Sequence, residues 1–213
     1  VMLALYFGGI LVGILVALVL KNTAFKGNPV PFVMELPNYR FPSAKSVVLL
    51  MWEKAKDFLT RAFTVIFMAT VIIWFMQTFD TRLNVVENSA DSILAALGRL
   101  VSPIFAPLGF GDWRMVTALV SGFTAKEAVV STFGVILGVS TEQLGIALHS
   151  LFTTASAASF LAFCLLYTPC VAAVSTIKTE LKSGWKTVGI VFAQCLVAWL
   201  AAFMVYHVGL LMT

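Results

Sequence analysis

Long apolar stretches separated by short polar segments set the pattern of this chain. Residues 1–20, 62–79 and 187–213 contain no Asp, Glu, Lys or Arg. An apolar run of about 18 or more residues is long enough to cross the ~30 Å hydrocarbon core as a helix. A helix is required because lipid offers no partner for an unpaired backbone group. The pattern predicts an all-α integral membrane protein, a bundle of several spanning helices.

The segment before residue 62 has a different pattern. Apolar residues recur at helical spacing across residues 44–61, and Glu53, Lys54 and Asp57 lie between them. This alternation predicts an amphipathic helix at the membrane interface, continuous with the following span. It serves either as an anchor or as a lever that transmits motion. Residues 28–42 hold four prolines, which predict an extended surface segment rather than a helix.

The positions of lysine and arginine constrain the topology. They concentrate in residues 21–61 and 178–186, and such segments are usually cytoplasmic. The chain must therefore cross an even number of times between them. Three apolar segments lie there: residues 62–79, 115–138 and 155–177. Either one of them is broken or re-entrant, which the glycines, prolines and central charges favour, or residues 93–110 form a fourth crossing.

Composition agrees with a membrane protein and argues against other classes. Hydrophobic residues make up 60% of the chain and charged residues 11%, against about 25% charged in soluble domains. The basic residues lie in loops, so the partner they indicate is membrane lipid and not nucleic acid. The sequence contains no phosphate-binding loop and no hydrolase or metalloprotease motif. We therefore expect no enzymatic activity from this chain.

One apolar segment carries two charges near its centre. Lys126 and Glu127 follow Gly122, a residue that favours a helix break. A charge at the bilayer centre costs at least about 2.5–3.5 kcal/mol, so such residues commonly mark an ion or substrate pathway. Together with Glu127, the hydroxyls of Thr124 and Ser131 are candidate oxygen ligands on that pathway. The alternative is a structural ion pair that locks two helices.

A proline interrupts a second apolar segment. Pro169 lacks an N–H and displaces the carbonyl of Leu165, four residues earlier. The freed carbonyl, the Thr168 hydroxyl and the Cys170 sulfur are candidates for one site. A thiolate with oxygen ligands suits a borderline divalent transition metal, so Cys170 and Glu127 are the candidate metal ligands. The alternative is a simple helix kink.

Three segments together resemble one known family. Residues 34–42, MELPNYRFP, resemble the "ELPPYR-P" signature of FeoB, the ferrous iron transport protein B family. Residues 122–127, GFTAKE, resemble its second Gate segment, and residues 166–170, LYTPC, resemble the "LYxPC" element that follows. Their order and spacing fit that family across nearly the whole chain.

The resemblance implies uptake of ferrous iron (Fe²⁺) through the prokaryotic cytoplasmic membrane. It assigns residues 1–43 to a spanning helix with a cytoplasmic surface segment, and residues 44–213 to a second Gate-type region. It also implies parts expected outside this chain: an N-terminal GTPase domain that uses GTP and Mg²⁺, and a first Gate half. Further implied partners are a small FeoA-like cytoplasmic protein and additional copies of the chain.

Two other functions remain open at this stage. A Gate-type transporter for nucleosides or another small polar solute would share the segment around Lys126, and Cys170 would then be incidental. A structural module that transports nothing is the third class. The buried charges argue against a module of this kind, because a scaffold has no use for them.

Overall fold

The computed structural model describes residues 2–22, 41–86, 88–167 and 170–212, and within these ranges the fold is all-α, as predicted. Nine helices are described: α1 Met2–Asn22, α2 Ala44–Thr78, α3 Ile93–Phe105, α4 Trp113–Gly122, α5 Ala128–Leu137, α6 Thr141–Leu151, α7 Thr154–Leu166, α8 Val171–Leu181 and α9 Gly184–Met212. The predicted extended segment lies outside the described residues, except for Phe41 and Pro42.

The described chain forms two compact units, Val1–Thr60 and Arg61–Thr213. Four helical stretches are long and apolar enough to cross a membrane: Leu5–Asn22, Ala44–Thr78, Thr154–Leu181 and Gly184–Leu211. In α1 the apolar side chains point outward, as Leu3 does at 73% exposure. Such a surface suits lipid. The chain is a multi-pass membrane protein, and the amphipathic residues 44–61 are helical like the span that follows them.

Two helix pairs are bent sharply. The stretch Ile93–Leu108 meets α4 at 104°, and α5 meets Glu142–Leu151 at 80°. The backbone turns at Gly109 (φ 80°) and at Gly138 (φ 64°), a left-handed conformation that glycine adopts without steric cost. Each bent pair is either a broken span or a re-entrant loop, so the described residues hold four to six crossings.

The apolar segment 115–138 is therefore not one span. It divides into α4 and α5, and each of these forms a bent pair with a different neighbour, α3 or α6. The broken or re-entrant element that was predicted is present. The break falls at residues 123–127, directly after Gly122 and at the two central charges.

The core of the second unit takes side chains from α4, α5, α6, α7 and α9, and its most extensive helix–helix contact is that between α7 and α9. Small residues line this contact, since Ser159, Ala198 and Ala202 are all fully buried. The Ser159 hydroxyl donates to the Ala202 carbonyl at 2.9 Å. Close approach through small residues and hydrogen bonds between helices are the usual means of association in lipid. Six aromatic rings extend the core towards α5 and the loops: Phe105, Phe110, Phe133, Phe152, Phe160 and Phe163.

Candidate functional site

The first helix break lies at residues 123–127, between α4 and α5. The Ser121 carbonyl accepts both the backbone N–H of Thr124, at 3.0 Å, and the Thr124 hydroxyl, at 2.7 Å. This local bonding replaces the next helical turn, as short hydroxyl side chains often do. A Cβ atom at Gly122 would overlap the Val129 side chain and lie 2.7 Å from the Tyr167 hydroxyl. Close packing therefore requires glycine at the edge of this break.

The second break lies between α7, which ends at Leu166, and α8, which begins at Val171. The last helical bond of α7 runs from the Tyr167 N–H to the Phe163 carbonyl, at 2.8 Å. Cys170 is the N-cap of α8, and its carbonyl accepts the backbone N–H groups of Ala173 and Val174. The predicted site residues Thr168 and Pro169 lie outside the described residues.

The two breaks contact each other directly. The backbone N–H of Val171 donates to the Phe123 carbonyl at 3.1 Å, which joins the start of α8 to the first break. The Lys126 ammonium donates to the carbonyls of Cys164, at 2.9 Å, and Leu165, at 3.2 Å. Both helices are therefore interrupted at the same place in the molecule, where each supplies backbone groups to the other.

Lys126 caps the C-terminal end of α7. The predicted displaced carbonyl of Leu165 is one of its two acceptors. Helix C-termini carry a partial negative charge, so a cation is stabilised there. The ammonium also lies 5.1 Å from the centre of the Tyr167 ring, a favourable cation–π distance. Among the described residues no carboxylate forms an ion pair with Lys126, so its charge is balanced by dipoles.

The other candidate side chains are distributed over two environments. Glu127 and Ser131 are exposed, whereas Thr124 is 8% exposed and faces the interior. The Ser131 hydroxyl donates to the Ala128 carbonyl at 3.1 Å, so both predicted hydroxyls donate locally. Within the described part of the chain, no three side chains of His, Cys, Asp or Glu lie close enough to hold a metal ion together.

A cavity of about 680 Å³ opens beside the first break, between α5, α6 and α7. Its wall is largely apolar, and Lys126 lies on it together with His149, Thr153 and Cys164. The other lining residues are Val129, Val130, Phe133, Gly145, Leu148, Phe152, Thr154, Ala157, Phe160, Leu161, Leu165 and Tyr167. The arrangement places an ammonium, two carbonyls and an aromatic ring on one open cavity.

The sequence alone identifies one of the hydrogen-bonding carbonyls at the two breaks but not the other two. The proline rule identifies the Leu165 carbonyl, because Pro169 has no N–H to offer it. The same rule does not identify the Cys164 carbonyl or the Phe123 carbonyl. Their roles depend on contacts between residues about 40 to 50 positions apart. Tyr167 lies in a segment that the sequence singled out, yet its contact with Gly122 is visible only in the fold.

Two family models match the chain. The model described as "Ferrous iron transport protein B C terminus" matches residues 2–54, and the Gate model, described as "Nucleoside recognition", matches residues 59–184. The second match alone covers more than half of the 213 residues. No solved structure matches the chain.

Several relatives are similar over nearly the whole chain. The "Fe(2+) transporter FeoB" of Staphylococcus aureus is 39% identical over 211 residues, which is 98% of this chain and 31% of the relative. The Methanocaldococcus jannaschii transporter of the same name is 31% identical over 216 residues, 98% of this chain and 32% of the relative. A Porphyromonas gingivalis "Fe(2+) transport protein A/Fe(2+) transporter FeoB fusion protein" is 33% identical over 260 residues, 99% of this chain and 31% of the relative. The chain spans about a third of the length of these relatives.

Proposed function

This chain belongs to the ferrous iron transport protein B family, and on that premise we propose that it forms part of the membrane pathway of an Fe²⁺ uptake transporter. The observation that carries the proposal is the contact between the two helix breaks, where Val171 bonds to Phe123 and Lys126 bonds to the end of α7. Non-helical backbone at membrane depth is tolerated where it is covered by protein or lines a water-filled cavity. Transporters commonly bind their substrates at such interrupted helices.

The side chains nearest to these breaks are the proposed contacts for the ion. Cys170 is partly buried at the start of α8, and its sulfur is a soft ligand that suits Fe²⁺ better than Mg²⁺ or Ca²⁺. Glu127 is exposed at the start of α5 and offers a carboxylate. Thr124, Ser131 and, from the sequence, Thr168 are proposed as oxygen donors along the same route. A transport site benefits from few ligands, because the ion must also leave.

The rest of the transporter is proposed from the relatives. Each named relative is about three times as long as the matched region, and we propose that the whole protein adds a GTPase domain, with GTP and Mg²⁺, and a first Gate half. The name of the Porphyromonas fusion protein joins an Fe(2+) transport protein A to the transporter. That fusion supports a small FeoA-like partner for this chain. The proposed location is the cytoplasmic membrane of a prokaryote.

Nucleoside transport is less well supported. The Gate model carries the description "Nucleoside recognition", but the relatives named above match nearly the whole chain and are called Fe(2+) transporters. The largely apolar wall of the 680 Å³ cavity offers few groups that would pair with a base and a sugar. Iron is therefore the substrate proposed here.

Uptake of Fe²⁺ by cells is the test of this proposal. Cells without another ferrous iron transporter would carry the full-length protein as wild type, Cys170→Ser or Glu127→Gln. We expect at least one variant to lose most of its uptake at equal membrane abundance, because each change removes a proposed ligand. GTP hydrolysis, measured in parallel, should stay at the wild-type rate.

Matched changes away from the breaks serve as controls. Cys195→Ser alters a cysteine of α9, and Glu142→Gln alters an exposed carboxylate of α6. Both should transport normally. If the wild type takes up no Fe²⁺, the proposed substrate is wrong. If Cys170→Ser and Glu127→Gln both transport at the wild-type rate, the route of the ion lies elsewhere.

A further inference from the structure

We infer that the carbonyl oxygens of Cys164 and Leu165 form a cation-binding site, which the Lys126 ammonium occupies in this conformation and which a transported cation takes over. The existence of the site follows from the geometry of the break. The replacement of Lys126 by Fe²⁺ rests in addition on the proposed function. Lys126 is thus a cation tethered at the site, rather than a ligand for one.

The groups around the ammonium are those that bind cations. Its nitrogen lies 2.9 Å from the Cys164 oxygen and 3.2 Å from the Leu165 oxygen. Backbone carbonyls replace the hydration shell of cations in ion-conducting proteins. The end of α7 adds the partial negative charge of a helix C-terminus, and the Tyr167 ring presents its face at 5.1 Å. None of these features is specific for lysine.

Several observations indicate that the ammonium can leave this site. Lys126 is exposed, and among the described residues it has no carboxylate partner that would fix its position. Its side chain is a flexible stem of four carbons. It also lies on the wall of the 680 Å³ cavity, which provides space for the displaced ammonium and an approach for another cation. A permanent structural cation would instead be expected to be buried and paired.

A tethered ammonium has a definite effect on transport. The ammonium competes with the incoming ion for the two carbonyl oxygens. When no ion is bound, it stays hydrogen-bonded to them, so the partial negative charge of these carbonyls always has a cation beside it. If Lys126 occupies the site for about nine-tenths of the time, the apparent affinity for an ion is about tenfold weaker than that of the empty site. Removing the ammonium should therefore strengthen binding.

Thermal unfolding of the purified full-length protein tests the site without any transport. Lys126→Ala would be compared with wild type in rising RbCl, with N-methylglucamine chloride at equal ionic strength as reference, since Rb⁺ is close to an ammonium group in size. We expect a saturable rise in the Tm of the variant in Rb⁺, and in wild type a rise that requires about tenfold more Rb⁺, because a ligand stabilises the state that binds it and the ammonium competes for the same carbonyls. Lys178→Ala, which removes an exposed lysine in the last turn of α8, should behave as wild type.

The absence of an Rb⁺ effect on Lys126→Ala would overturn the inference and leave Lys126 as a helix cap. If folded Lys126→Ala protein can be purified only in Rb⁺, that dependence supports the proposed cation site. If it is recovered in neither salt, the carbonyls require the covalent lysine, and the inference is wrong. A wild type that takes up no Fe²⁺ would refute the proposed function, while the Rb⁺ measurement would still decide the site.

Uptake kinetics test the displacement of the ammonium by Fe²⁺. Lys126→Met keeps the length of the side chain and removes its charge. We expect its KM for Fe²⁺ to fall by about tenfold, following the same occupancy argument. An unchanged or higher KM, at wild-type membrane abundance, would show that Fe²⁺ does not displace Lys126.

Discussion

Gly122 shows how one residue decides whether two broken helices can meet. It is buried at the end of α4, and a side chain there would reach both Val129 and the Tyr167 hydroxyl. Tyr167 is itself buried, and its hydroxyl has no hydrogen-bond partner among the residues that the structure describes. The ring is therefore positioned by packing against Gly122 and below the Lys126 ammonium, and not by its polar group.

Gly122→Ala should destabilise the protein. We expect a loss of about 1–3 kcal/mol in the free energy of unfolding, the usual cost of an extra methyl group in a packed interior. Fe²⁺ uptake should fall with it, because the breaks are pushed apart. Denaturation of the purified full-length protein would measure the first effect, and uptake by cells the second.

The control is Gly189→Ala in α9, where nothing lies within 4 Å of the added carbon. It should leave stability unchanged or raise it by up to about 1 kcal/mol, since alanine favours helix. Adding Tyr167→Phe to Gly122→Ala removes one of the two contacts and should restore part of the loss. A Gly122→Ala protein as stable as wild type would contradict the packing described here.

Among the helices, α7 and α9 determine the position of the second break. Their contact is made by small residues, and Ser159 is completely buried within it. Gly209 continues the contact, since a Cβ atom there would lie 3.0 Å from that of Ala155. Because α7 is held along this face, its C-terminal carbonyls are held in place for Lys126.

Ser159→Leu should separate the two helices. We expect it to lower the free energy of unfolding by about 1–3 kcal/mol through overpacking. Ser159→Ala should cost only about 0.6 kcal/mol, a typical value for a hydrogen bond between membrane helices. The exposed Ser150→Leu in α6 is the control for added bulk. Equal stability of Ser159→Leu and Ser150→Leu would mean that the contact does not hold α7.

The sequence predicts a helix correctly where the length of an apolar run is enough to specify it. The spans at residues 1–20 and 187–213 correspond to α1 and α9, because an apolar run in lipid has no alternative to a helix. Between residues 115 and 138 apolar length alone would favour one span, and it is the glycine and the central charges that predict the interruption between α4 and α5. Glycine, hydroxyl groups and contacts with α7 decide there, and only the first two can be read locally.

At the scale of the whole molecule, the two bent helix pairs and the interruption between α7 and α8 occur together in the second unit. The sequence predicts that Lys126, Glu127 and Cys170 lie at helix interruptions, since charge and proline are costly within a span. It does not predict that the interruptions touch, because the Val171–Phe123 bond joins residues that are 48 positions apart. The number of crossings, four to six among the described residues, likewise depends on bends that no local pattern specifies.

The central claim is that Fe²⁺ passes the point where the two breaks meet, and protection of Cys170 from a thiol reagent tests it most directly. In a full-length protein whose other cysteines have been replaced, the rate of modification of Cys170 by a water-soluble methanethiosulfonate would be measured under anaerobic conditions, with and without Fe²⁺. The account predicts that Fe²⁺ slows the reaction in a saturable manner and that Mg²⁺ does not. The same rate with and without Fe²⁺ would contradict it and would place the ion path away from the breaks.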